Sequence, residues 1–182
     1  MELTRIRQSS GPAVAGALGR GIAAGLVGTA AMTALQEVMA ARRRRAAAQV
    51  TAGGNGSEPQ DPWASAPAPA QLARMVVRGA TGHDVPAERI PLFTNAVHWG
   101  YGTSMGVMYG LVQRARRGRP SVQGPLFGLG VWASSYATLV PLGLYKWPWH
   151  YKATSIAKDL SYHLVYGSGV AAGYRLVEKA RR

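Results

Sequence analysis

The sequence has no cysteine and little negative charge. Without cysteine the chain can form neither a disulfide framework nor a cysteine metal site. Only 8 acidic residues stand against 21 lysines and arginines among 182 residues, so the formal net charge is +13. A charge of this sign suits two kinds of partner, nucleic acid and the anionic headgroups of a membrane. The positions of the charges along the chain distinguish between these two kinds of partner.

Two long stretches of the chain lack charge of either sign. No Asp, Glu, Lys or Arg occurs in residues 91–113 or 120–145. Each stretch reaches the roughly 20 residues with which a helix crosses the roughly 30 Å hydrocarbon core of a bilayer. Helices of soluble proteins are shorter on average and carry charge on their exposed face. The two stretches therefore predict membrane-spanning helices.

The basic residues cluster at the ends of the predicted spans, in residues 42–45, 114–119 and 175–182. Cationic flanks interact with headgroups and help to set the orientation of membrane helices. This placement favours the lipid bilayer as the partner and disfavours nucleic acid. The short loop 114–119 favours cytoplasmic N- and C-termini in a multi-pass membrane protein, since short loops count most for orientation.

We predict an all-α fold, a four-helix transmembrane bundle. The four spans are expected at about residues 21–40, 92–112, 122–144 and 157–176, with Pro141 kinking the third. The predicted organisation is a basic N-terminal segment (1–20), a first membrane helix with its basic flank (21–45), a linker with a short interfacial helix (46–90), and the remaining three spans (91–182). Glycine, serine and proline in residues 46–70 predict a flexible linker, and Leu72, Met75 and Val76 recur at helical spacing just after it.

The second and fourth spans resemble each other at one constant offset of 65 residues. Six of fifteen positions are identical from His98 and from His163 onwards. The identical pairs are His98 with His163, Tyr101 with Tyr166, Gly102 with Gly167, Tyr109 with Tyr174, Leu111 with Leu176, and Val112 with Val177. The first and third spans show a fainter parallel between their glycines. The bundle is therefore predicted to be a tandem duplication of a two-helix hairpin.

Small residues and aromatics indicate how the spans pack and where they end. Glycines at helical spacing let backbones approach closely in lipid, and the predicted packing positions are Gly21, Gly25, Gly28, Gly102 and Gly167. Aromatic residues alternate with cations in residues 145–152, which is typical of the boundary between membrane and water. Trp147, Trp149 and His150 are the predicted interfacial anchors.

Ionisable side chains within a span are expensive and are therefore candidates for function. The candidate polar intramembrane site comprises His98, His163, Asp159 and Glu37, with Tyr101 and Tyr166 beside the histidines. Asp159 and His163 stand at i and i+4, so the carboxylate can fix the imidazole tautomer. The two histidines could hold a haem iron or a divalent metal. The simpler alternatives are neutral histidines bonded to nearby hydroxyls and a surface-paired Glu37 near residues 42–45.

The sequence contains no nucleophile elbow, no phosphate-binding loop and no H-E-x-x-H motif. The leading hypothesis is therefore a non-enzymatic accessory or scaffold protein without a cofactor, which acts through helix packing with other membrane subunits or with further copies of itself. The alternative is a small transporter, a proton relay, or a haem- or metal-binding membrane protein that uses the intramembrane histidines and acidic residues.

The chain resembles the YagU-like family of small bacterial inner-membrane proteins. The resemblance rests on GLVGTAAMTALQE in the first span, on the stretch around His98, on QGPLFGLGVW in the third span, and on the stretch around His163. It implies a multi-pass inner-membrane protein and little about chemistry. The chain departs from the family in having Tyr136 four residues after Trp132, where a histidine is usual, and Asp159 in place of glutamate.

Overall fold

The computed structural model describes residues 10–50, 61–115 and 120–180, and this part of the chain contains helices and no strand. The five helices are α1 (Ser10–Val50), α2 (Ala68–Thr81), α3 (Ile90–Ala115), α4 (Pro120–Leu139) and α5 (Ala153–Lys179). The all-helical prediction is confirmed. The short α2 accompanies four long helices, which we call the bundle, and two 3₁₀ turns lie at Ala87–Arg89 and Pro148–His150.

Proline and glycine set the ends of two helices. α2 has proline in its first turn, where no amide donor is needed. It ends at Gly82, whose positive φ of 73° lets its N–H bond the Arg78 carbonyl at 2.9 Å. α4 was expected to continue to residue 144 with a kink at Pro141. Instead it ends at Leu139, and the chain turns through Gly143 at φ 72°.

Neighbouring helices of the bundle run antiparallel. Along α1, Gly21 approaches Val107 and Gly25 approaches Thr103, so α3 runs in the opposite direction. α5 packs antiparallel on another side of α1, and α4 packs antiparallel on α5. The helices therefore follow one another in the order α3, α1, α5, α4. The outer two helices, α3 and α4, meet through the Tyr109 and Phe127 rings, whose centroids are 5.0 Å apart.

The bundle buries small residues and tyrosines and turns its large aliphatic side chains outwards. Within the described ranges no Leu, Ile or Phe side chain is buried. The buried set of the bundle is Ala17, Ala24, Thr29, Met32, Tyr109, Val131, Tyr136, Tyr162, Tyr166, Val170, Ala171 and Tyr174. Leu126 and Leu176 are 59% and 67% exposed. Water-soluble cores show the opposite order, since Ile, Leu and Phe are among their most buried residues.

A second, smaller core lies beside the bundle, and we call it the α2 unit. Trp63 is 7% exposed and packs with Ala66, Ala70 and Val85, next to Ile90 and Phe93 at the start of α3. Its indole Nε1 donates to the Val85 carbonyl at 3.1 Å.

The linker differs from its prediction over residues 46–70. Residues 46–50 belong to α1, and residues 61–67 fold around Trp63 in the α2 unit. Residues 51–60 lie outside the described part of the chain, as do residues 1–9, 116–119 of the basic loop, and 181–182.

Candidate functional site

The predicted packing glycines lie where helix backbones touch. A β-carbon on Gly21 would lie 2.7 Å from the Val107 Cα, and one on Gly25 would lie 2.8 Å from the Thr103 Cα. Both contacts are shorter than real β-carbons show, so only glycine allows this spacing between α1 and α3. On the facing side, a β-carbon on Gly102 would collide with the Thr29 hydroxyl.

The α4–α5 pair meets in the same way. A β-carbon on Gly124 would lie 2.9 Å from the Gly167 carbonyl oxygen, and Gly167 itself packs between Gly124 and Gly128. Gly102, the repeat equivalent of Gly167, packs beside Thr29, which lies one turn beyond Gly25 in α1. Gly25 and Thr29 of α1 therefore correspond to Gly124 and Gly128 of α4. The fainter parallel in the sequence, between the glycines of the first and third spans, sets Gly21 and Gly25 against Gly124 and Gly128. The structural correspondence is shifted by one helical turn.

The contact between α1 and α5 also depends on glycine. A β-carbon on Gly28 would collide with the Val170 side chain and lie 2.8 Å from the Tyr166 carbonyl oxygen. One on Gly173 would lie 2.9 Å from the Val27 Cβ. Glycines thus mediate three of the contacts that assemble the bundle.

Tyr101 and Tyr166, identical across the repeat, each reach from one hairpin to the other. Tyr166 is buried in α5 and donates to the Gly102 carbonyl oxygen of α3 at 2.6 Å. The Tyr101 hydroxyl of α3 lies 3.1 Å from the Ser134 hydroxyl of α4. The two hydroxyls thus link the two hairpins, Tyr166 in the interior and Tyr101 at the exposed surface of the bundle.

A polar cluster in α4 and α5 centres on Asp159. The Trp132 indole Nε1 donates to Asp159 Oδ2 at 3.0 Å, and the Tyr136 hydroxyl donates to the same oxygen at 3.3 Å. The His163 Nδ1 lies 3.7 Å from the other carboxylate oxygen and donates to the Asp159 backbone carbonyl at 2.9 Å. Because Nδ1 carries that proton, Nε2 of a neutral His163 is left as an acceptor.

His98 occupies the equivalent place in the other hairpin with a different partner. Its Nε2 lies 3.2 Å from the Thr33 hydroxyl of α1. One turn before His98, at the position equivalent to Asp159, Thr94 bonds only its own helix, at the Ile90 carbonyl.

Glu37 stands apart from the histidines. Its carboxylate lies 3.7 Å from the Arg44 guanidinium, and its side chain is 71% exposed. The structure thus brings His163 and Asp159 together, places His98 beside Thr33, and leaves Glu37 on the surface. Within the described ranges no three or more His, Asp or Glu side chains are grouped so that they could hold a metal ion.

Three residues that contact the candidate polar side chains were not among the sequence candidates: Thr33 beside His98, and Trp132 and Tyr136 beside Asp159. Trp132 and Tyr136 stand at i and i+4 in the charge-free stretch, so their polar tips lie on one face of α4. That spacing was a usable signal, but the acceptor they share is distant in sequence. The Tyr162 hydroxyl is a further buried group, and it has no hydrogen-bond partner among the described residues.

The predicted anchors lie beyond the end of α4. The Trp147 and Trp149 rings stack with centroids 5.1 Å apart, and Trp149 is 72% exposed with His150 beside it. Tyr145 nearby packs on Tyr136, and burial raises the pKa of its phenol to about 12, so it is neutral at physiological pH.

Comparisons with known proteins found no match, whether to protein-family models, to curated proteins or to solved structures. Function therefore has to be inferred from the chain itself. One described helix, over Val14–Ala47, is long and apolar enough by length and composition to cross a membrane.

Proposed function

We propose that this chain is a multi-pass integral membrane protein whose four long helices cross the bilayer, with both termini on one side. The observation that carries the proposal is the reversed burial of the bundle. No leucine or isoleucine of the described residues is buried and many of them are exposed, whereas glycine, alanine and tyrosine make up most of the buried positions between the helices. In lipid, helices gain nothing by burying leucine and associate instead through close backbone contact and hydrogen bonds.

Helix lengths and the placement of charge support the same reading. α1, α3, α4 and α5 have 41, 26, 20 and 27 residues, and about 20 suffice to span a bilayer. The exposed Arg42–Arg45 run lies near the C-terminal end of α1, beyond its apolar part. The stacked Trp147 and Trp149 lie beyond the end of α4.

Labelling of single cysteines tests this topology, because the chain has no cysteine of its own. The exposed positions Ala80 in α2, Ala133 in α4 and Ala180 after α5 are each changed to cysteine. In intact cells an impermeant maleimide should label Ala80→Cys, and Ala180→Cys should react only after lysis. Ala133→Cys should stay unreactive in membranes. Equal reaction of all three variants in an aqueous extract would contradict the proposal.

We further propose that its role is non-enzymatic, as an accessory or scaffold protein of a YagU-like kind, and that the bundle arose from a duplicated hairpin. The shared contact register of α1–α3 and α4–α5 supports the duplication. The two departures from the YagU-like pattern are in contact, since the Tyr136 hydroxyl bonds Asp159. Copurification of a stable membrane partner, lost when Gly25 is changed to leucine, tests the scaffold role.

A second candidate function, a transporter, proton relay or cofactor carrier, is favoured by the Asp159 cluster. A carboxylate, two histidines and the unpartnered Tyr162 hydroxyl lie inside the bundle, where polar groups without partners cost about 1–3 kcal/mol. An absorption spectrum and metal analysis of detergent-purified protein test the cofactor version. A Soret band or stoichiometric metal that is lost in His163→Ala would support it, and neither signal in the wild type would exclude it.

A further inference from the structure

A shallow pocket of about 160 Å³ lies between α2 and the turn that follows α4. Its lining is Gln71, Arg74, Met75, Arg78 and Leu144. Pockets for whole organic ligands are larger, roughly 300 Å³ or more. This pocket therefore suits one small polar group with an apolar remainder that extends outside it.

Arg74 is held rigidly at one side of the pocket. Its Nε and Nη2 donate to the two Asp84 carboxylate oxygens at 2.7 and 2.6 Å, and its guanidinium lies 4.7 Å from the Trp63 ring centroid. Two of its five N–H groups serve these bonds to Asp84, so the others remain available to an acceptor. The arginine is thus oriented before any ligand arrives.

Arg78 lies one helical turn further on and is exposed. It forms no ion pair with the acidic side chains that the structure describes. Arg78 thus adds positive charge beside the Arg74–Asp84 ion pair, which suits the negative charge of a phosphodiester. Gln71 adds an amide, whose Nε2 bonds the Ala66 carbonyl at 2.7 Å.

The surroundings of the pocket are apolar on the outward side. Met75 and Val76 are 44% and 63% exposed on α2, and Leu144 forms the opposite wall. Arginines beside exposed aliphatic side chains are typical of helices that lie in the membrane interface.

We propose that this pocket binds the phosphate of an anionic phospholipid, with Arg78 as the main charged contact and Met75, Val76 and Leu144 against the acyl chains. The inference rests on the proposed membrane function, which would place the α2 unit at headgroup level. Anionic lipids attract interfacial arginines in general. Here the orientation of Arg74 and the exposed guanidinium of Arg78 define a single site.

Native mass spectrometry of the full chain in detergent, titrated with phosphatidylglycerol or phosphatidylcholine, tests the site. The wild type should retain one phosphatidylglycerol in preference to phosphatidylcholine. Arg78→Gln should weaken that binding about tenfold, as expected for loss of a charge-assisted hydrogen bond, and Arg78→Lys should weaken it less. Arg89→Gln removes an exposed arginine outside the pocket and should bind like the wild type.

Equal retention of phosphatidylglycerol by Arg78→Gln and Arg89→Gln would overturn the proposal. Displacement of the lipid by inorganic phosphate at equal concentration would also overturn it, because it would indicate a site for free anions. Carbonate extraction of membranes that contain the protein distinguishes a failure of the lipid site from a failure of the proposed membrane function. Protein that stays in the pellet without preferring phosphatidylglycerol contradicts the lipid site alone. Protein released into the supernatant contradicts the membrane function.

Discussion

The bundle and the α2 unit are packed by different means within one chain. In the bundle, glycines bring helix backbones into contact, and no leucine or isoleucine of the described residues is buried. In the α2 unit, the large Trp63 side chain fills a small core, and the Arg74–Asp84 ion pair lies beside it. A side-chain core of this kind depends on water to drive apolar groups inside. The contrast is the one expected from the proposed membrane function, in which the bundle faces hydrocarbon and the α2 unit faces the aqueous interface.

The largest expected effect is in the α2 unit. Trp63→Ala should cost about 3–5 kcal/mol locally, because it empties a core built around one side chain and removes the bond to the Val85 carbonyl. Hydrogen exchange should show fast exchange of α2 amides with α5 still protected. Trp149→Ala, a change at an exposed tryptophan, should leave α2 protection unchanged. Simultaneous loss of protection in α5 would show that the two regions are one cooperative unit.

Two glycines of α4 give the sharpest test of the bundle. Gly128→Ala should destabilise by about 1–3 kcal/mol, since its β-carbon would collide with the His163 carbonyl oxygen of α5. Gly130→Ala meets nothing within 4 Å and should stabilise by up to about 1 kcal/mol through helix propensity. Thermal unfolding in detergent measures both. Shifts of the melting temperature in the same direction would contradict packing by glycine.

The polar cluster should matter in one hairpin and not in the other. Asp159→Leu leaves the Trp132 and Tyr136 donors unpaired and should cost about 1–3 kcal/mol. Asp159→Asn keeps an acceptor and should cost less. Thr94→Val, at the equivalent position, should change the melting temperature little, because that hydroxyl bonds only its own helix. Equal effects of Asp159→Leu and Thr94→Val would argue that the cluster adds nothing to stability.

The smallest expected effect is the acid sensitivity of the α2 unit. The hydrogen bonds from Arg74 hold the pKa of Asp84 well below its ordinary value of about 4. A lowered pKa in the folded state contributes stability above the ordinary value, and that stability is lost as the pH falls below about 4. Protection of α2 amides should therefore drop in acid and stay level above about pH 5. Asp84→Asn should be less protected throughout and should show no such drop.

The helical class and the approximate positions of α2 to α5 could be predicted from sequence, whereas α1 spans Ser10–Val50 and exceeds the predicted 21–40 at both ends. Charge-free stretches and helical periodicity are local properties, and they located α3 and α4 to within a few residues, apart from the early end of α4 before Pro141. The fold of residues 61–67 could not be predicted in this way. Its stability comes from Trp63 contacting Val85, which is 22 residues away, and composition alone favoured a linker.

What the sequence by itself determined was where helices form, which glycines can serve as contacts, and which side chains are ionisable, because propensity, spacing and charge are readable along the chain. Only the tertiary structure decided that Asp159 accepts from Trp132 and Tyr136, that His98 meets Thr33, and that Glu37 stays outside. Those outcomes depend on the rotation and stagger of one helix against another. Backbone approach at the glycines fixes that geometry, and no single helix contains it.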